Sequence, residues 1–185
     1  GETVQAEQTG RNRHFDEART LAVHVPSPDR IAPRCPHFGT CAGCVLQHLD
    51  GPRQIAAKHG VLVDNLRRIG HVEPGRLLEP LSDQAWGYRR KGRFSVRFVE
   101  KKGKAVVGFR ESHPRFVADL SVCHTVVPVI GERIPELAAL VDSLDGKRTL
   151  PQIEFIAGDA AVALVFRHLE PLSAADTERL LAFAH

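Results

Sequence analysis

The residues best equipped for chemistry in this sequence are four cysteines, and their spacing divides them three and one. Cys35, Cys41 and Cys44 form a C-x5-C-x2-C run inside CPHFGTCAGC, and Cys123 follows 79 residues after Cys44. Three thiolates on a short glycine-bearing loop can wrap one face of a cubane while a distant fourth closes the last iron corner. The spacing therefore suits a [4Fe–4S] cluster. Structural zinc also takes four cysteines, usually as two short pairs, and Cys123 has no close partner. Two disulfides are a further alternative. Against them, the first ten residues lack the basic-then-apolar order of an export signal, which points to a reducing, cytoplasmic compartment. His37, His48 and His124 stand beside the cysteines and can act as hydrogen-bonding groups or replacement ligands.

The second feature is a concentration of positive charge. Residues 1–87 carry ten basic and ten acidic side chains, residues 105–185 seven and eleven, and residues 88–104 eight and one. The whole cationic excess thus lies in one short segment. In it Phe94, Val96 and Phe98 alternate with Arg93, Ser95 and Arg97, so a strand here turns one face to a core and the other, cationic, to solvent. Such a strip, about 20 Å long, can track several phosphates, and arginine can also stack on an unpaired base. Arg89, Arg90, Lys91, Arg93 and Arg97 are accordingly candidate RNA contacts. Lys101, Lys102 and Lys104 extend the strip, where they serve equally well as protectors of a strand edge. Trp86 and Tyr88 are candidate stacking residues or core residues. Gln47 and His48, next to the cysteine loop, either contact RNA or hydrogen-bond around the metal site.

The elements that must position these groups are legible in outline. Val4–Arg11 and Arg19–Pro26 read as strands of a small β element, and prolines 26, 28 and 33 as a stiff linker. Gln54–Ile69 reads as an amphipathic helix stopped by Gly70. Lys91–Glu100 and Ala105–Arg110 form a hairpin, and Phe116–Val122 is expected as a third strand. Pro128–Leu144 is expected as one helix. Ile153–Ala157 and Ala161–Phe166 flank a Gly158–Asp159 turn, and Ser173 precedes a last helix from Ala174. The order predicts an α+β fold, an antiparallel sheet with helices packed on it, preceded by a partial β element. No apolar run reaches the roughly 18 residues of a membrane span. Methionine is absent throughout, position 1 included, so a piece of a longer protein is expected.

Residues 27–49, SPDRIAPRCPHFGTCAGCVLQHL, resemble the cluster-binding segment of the RNA uracil-5 methyltransferases, usual form S-P-x-R-x-x-P-x-C-P-x-F-G-x-C-G-G-C-x-L-Q-H-L. Only Ala42 departs, standing where glycine is common, so the resemblance requires residue 42 to avoid a glycine-only backbone angle. WGYRRKGRFSVR, VGFRE and LSVCHTVVP are similar to the family's central domain, in its order and spacing. Within the family the resemblance is to the enzymes that act on 23S ribosomal RNA. It implies a [4Fe–4S] cluster on Cys35, Cys41, Cys44 and Cys123, with residues 1–26 as the second half of a TRAM-like β-barrel and residues 27–185 as the central iron–sulfur, RNA-contacting domain. The S-adenosylmethionine-binding Rossmann-like domain, with F-x-Q-x-N, the nucleophilic cysteine and the general base, is expected beyond His185. No catalytic residue is therefore expected in this chain, which alone is expected to be inactive. The expected partners are 23S ribosomal RNA and that catalytic domain, not DNA or a membrane. The cluster is expected to be structural, since the C-x3-C-x2-C spacing of radical enzymes is absent. A ferredoxin-like electron-transfer module and a zinc-stapled RNA-binding module are the alternatives.

Overall fold

Alternating residues at the amino end build an antiparallel hairpin from β1 (Thr3–Arg11) and β2 (Asp16–Val25). Glu7 faces Arg19 across it, with the guanidinium 2.7 Å from the carboxylate. The computed structural model describes residues 1–113 and 115–184, which fall into two units, Gly1–Ala32 with His48–Leu77 and Pro33–Gln47 with Leu78–His185. In the first unit α1 (Gly51–Arg68) starts on Pro52, whose missing N–H costs nothing there, and ends on Arg67 and Arg68, whose charge suits the carboxyl end of the helix dipole. Glu2 receives Arg30 Nε at 2.5 Å and the Ser27 N–H at 3.0 Å. The Arg30 hydrogen bond, then that of Ser27, holds the Glu2 carboxyl down at about 2.

The second unit is a four-stranded antiparallel sheet in the order β4-β3-β5-β6, from β3 (Lys91–Val99), β4 (Lys104–Gly108), β5 (Gln152–Ala157) and β6 (Val162–Arg167). The period of two in β3 and β5 sends Phe94, Val96, Ile153 and Phe155 into the core, with Phe94 and Phe155 tilted against each other at 4.7 Å between ring centres. Gly92 is needed beside them, because a Cβ there would lie 2.6 Å from the Phe155 ring. α2 (Pro128–Gly131), α3 (Ile134–Ser143) and α4 (Ala174–Phe183) complete the layer, with Ile130, Ile134, Leu137 and Val141 buried in the same core. The expected α+β class, with antiparallel sheets and packed helices, is what the structure shows, and the first hairpin is compatible with a TRAM-like element. Among the described residues no helix is long and apolar enough to cross a membrane.

Two local expectations are corrected. Phe116–Val122 is not a strand. Only the single bridge Arg110–Val117 forms, and the segment instead crosses Gly108 so closely that a Cβ there would meet the Ala118 carbonyl at 2.2 Å. Pro128–Leu144 is not one helix either. Pro135 has no N–H to donate back to Gly131, so the chain breaks at Glu132–Arg133 and α3 restarts with proline in its first turn. The last helix begins as read, with the Ser173 hydroxyl accepting the Asp176 N–H at 3.0 Å.

Candidate metal centre and basic sheet face

The loop holding three of the cysteines is built from successive tight turns. Phe38 N–H donates to the Cys35 carbonyl at 3.1 Å and Cys41 N–H to that of His37 at 2.9 Å, and Gly39, at φ +90°, supplies the one left-handed residue the reversal needs. Gln47 is buried and its side-chain oxygen accepts the Cys35 N–H at 3.0 Å, closing the loop across its base. The far side is fixed to the sheet region through Ala42 N–H on the Arg110 carbonyl at 3.0 Å. Ala42 itself is not at positive φ, so the alanine costs nothing there.

Cys123 arrives from the other direction. Its N–H donates to the Gly131 carbonyl at 2.9 Å, and its sulfur lies 3.3 Å from the Thr125 hydroxyl. His37 clasps the two segments together: its Nε2 accepts the Ser121 N–H at 3.0 Å and lies 2.9 Å from the Ser121 hydroxyl. Nothing local in the sequence marks Ser121 for this role.

All four cysteines line one pocket, together with His37, Phe38, Gln47, Arg89, Phe109 and Thr125 among others. None of the four is in a disulfide. Among the described residues no three His, Cys, Asp or Glu side chains are grouped so as to hold a metal ion. Burial pushes the Cys35 and Cys41 thiols up, and the neighbouring cysteines add to this, while backbone N–H donors from His37 and Phe38 to Cys35, and from Gly43 to Cys41, oppose it.

The basic run is divided by the structure. Lys91, Arg93 and Arg97 share the exposed face of β3. Neither Lys91 nor Arg93 makes an ion pair among the described residues. Glu154, opposite Arg93, already accepts Arg167 at 2.8 Å, and Arg97 donates to the Arg115 carbonyl at 2.7 Å. Arg90 is occupied internally, donating to the Ala157 and Gly158 carbonyls and pairing with Asp159 at 2.7 Å. Lys102 and Lys104 both pair with Asp119, at 3.3 and 2.7 Å, while Lys101 is exposed. Trp86 is half-buried, edge-on to His124 with the Arg34 guanidinium above its ring at 5.2 Å, and Tyr88 is exposed. His48 lies in the first unit, where its carbonyl accepts the Ile31 N–H.

No protein-family model matches the chain. It is 68% identical over 184 of its 185 residues to the 23S rRNA (uracil(1939)-C(5))-methyltransferase RlmD of Xanthomonas campestris pv. campestris (strain 8004). To the protein of the same name from Stenotrophomonas maltophilia (strain K279a) it is 66% identical over 183 residues. The chain spans 41% of the length of each of these relatives.

Proposed function

We infer that this chain is a portion of a 23S ribosomal RNA uracil-C5 methyltransferase, the portion that holds a [4Fe–4S] cluster and grips the RNA. High identity along the whole chain supports the parentage, and one structural observation carries the local role: four cysteines, one of them 79 residues beyond the nearest of the others, line a single pocket. The donor set fits a cubane. Each thiolate then binds its own iron corner, so the sulfurs need not meet at one point as tetrahedral zinc requires. A bound cluster supplies a four-point inorganic cross-link and no step of methyl transfer.

The chain's own residues do the rest. Gln47 and His37 hold the loop in the shape the thiolates need, and the Gly131 carbonyl holds Cys123. The outer face of β3 offers Lys91, Arg93 and Arg97 to phosphates, and Tyr88 to an unstacked base. S-adenosylmethionine, and the attack on C6 that precedes methylation at C5, belong on this reading to the part of the full-length protein that this chain does not span. Action on ribosomal RNA makes the protein cytoplasmic.

Anaerobic purification tests the reading. A brown protein absorbing broadly near ~400 nm with about four irons per chain is expected. A colourless protein with one zinc would establish the zinc-stapled module instead.

A further inference from the structure

We propose that Arg89 is a positioning residue of the cysteine pocket, a fixed cation that offsets the negative charge of its thiolates and sets the reduction potential of the cluster they hold. The inference rests on the cluster assignment above and goes beyond it. The sequence places Arg89 in the basic run, among candidate RNA contacts, but the structure gives its side chain a different neighbourhood. It is half-buried and lines the pocket with all four cysteines, its guanidinium 5.5 Å from the centre of the Phe109 ring.

Among the described residues it is the only permanently charged side chain lining that pocket; the others are apolar, neutral or histidine. Among the described residues no carboxylate pairs with it, whereas the adjacent Arg90 is paired with Asp159. A half-buried cation without a counter-ion is costly, and a group of thiolates is the obvious source of compensation. The backbone keeps it there. Arg89 N–H donates to the Thr125 carbonyl at 2.9 Å and its own carbonyl accepts the Val127 N–H at 3.1 Å, locking Arg89 alongside the segment that follows Cys123.

A cluster held by four thiolates is negatively charged, and more so once reduced. A guanidinium that cannot lose its proton therefore favours the reduced state over the oxidised one. The cation-π contact ties the guanidinium to Phe109, and that ring in turn reaches the cysteine loop: a Cβ on Gly43 would lie 3.6 Å from it and 3.3 Å from the Cys41 sulfur.

The test compares wild type, Arg89→Gln and Arg89→Lys as anaerobically reconstituted holoproteins, measuring iron, sulfide, thermal melting and midpoint potential. Both hydrogen bonds of Arg89 to the Thr125–Val127 segment are main-chain, so both variants should fold. In Arg89→Gln the reduced-to-oxidised ratio at a fixed potential should fall at least about tenfold, a negative shift of about 59 mV for a one-electron couple. Arg89→Lys should stay near wild type. A folded Arg89→Gln that assembles less than half the cluster held by Arg89→Lys would also support the cation. An Arg89→Gln cluster with wild-type content and potential would overturn the proposal, as would equal defects in both variants. A wild-type chain that takes up no iron and sulfide would instead defeat the cluster assignment on which it stands.

Discussion

Replacing Gly131 by alanine should weaken iron uptake at the proposed centre without changing any of the four cysteines. An added Cβ would lie 2.3 Å from the Cys123 carbonyl oxygen and 3.2 Å from that of Val126, both backbone atoms that cannot rotate aside. Carbon–oxygen contacts settle at about 3.3 Å or more, so the two segments must part by roughly 1 Å. The same two residues share the Cys123 N–H to Gly131 carbonyl hydrogen bond, so the parting also moves the cysteine. Overpacking of this kind costs about 1–3 kcal/mol, which in a unit of this size lowers the melting temperature by roughly 5–12 °C. The assay is iron per chain after anaerobic reconstitution, with melting curves of apo and reconstituted protein. Iron should fall by more than half and the apo melting point should also drop. A Gly131→Ala protein with wild-type iron and wild-type melting would refute the claim that this close approach positions Cys123.

Asp176 is buried, yet the N–H groups of Asp145 and Gly146 at 2.8 and 2.9 Å, with Arg179 at 2.8 Å, hold its carboxyl below the ordinary value against the opposing effect of burial. Asp176→Ala should cost about 2–4 kcal/mol in urea unfolding. Because the folded value is depressed, that contribution should be complete above about pH 4 and vanish as pH falls through the lower folded value, a difference that melts of wild type and variant across pH would show. Gly60 sits inside α1 with nothing within 4 Å of an added Cβ, so Gly60→Ala should stabilise the first unit by about 0.5–1 kcal/mol in thermal melts. In filter binding of a 23S ribosomal RNA fragment, Arg93→Gln should flatten the log K against log salt slope by about 0.7–0.9, while Arg90→Gln, whose cation is already paired, should leave it unchanged.

The parts readable from the sequence were those governed by local periodicity and local chemistry. β3 alternates cleanly because one face is core and the other water, so Phe94 and Val96 are buried as their spacing required. Ser173 capped its helix for a reason contained in four residues. What escaped was decided by distant partners. Phe116, Ala118 and Leu120 alternate like a strand, but their backbone crosses Gly108 and pairs only at the single Arg110–Val117 bridge, which only the tertiary packing shows. The long apolar pattern after Pro128 hid a break because its spacing continues through Pro135. The cations looked equivalent along the chain. Asp159, Asp119 and the cysteine pocket, all distant in sequence, separate Arg90, Lys102, Lys104 and Arg89 from Lys91 and Arg93, which among the described residues make no ion pair.

Iron K-edge X-ray absorption on the anaerobically reconstituted chain addresses the metal centre most directly. An all-sulfur shell with a strong short iron–iron vector, lost in Cys123→Ser, is the expected result. An iron–sulfur shell with no iron–iron vector, or a spectrum unchanged in Cys123→Ser, would contradict a cubane clasped by Cys35, Cys41, Cys44 and Cys123.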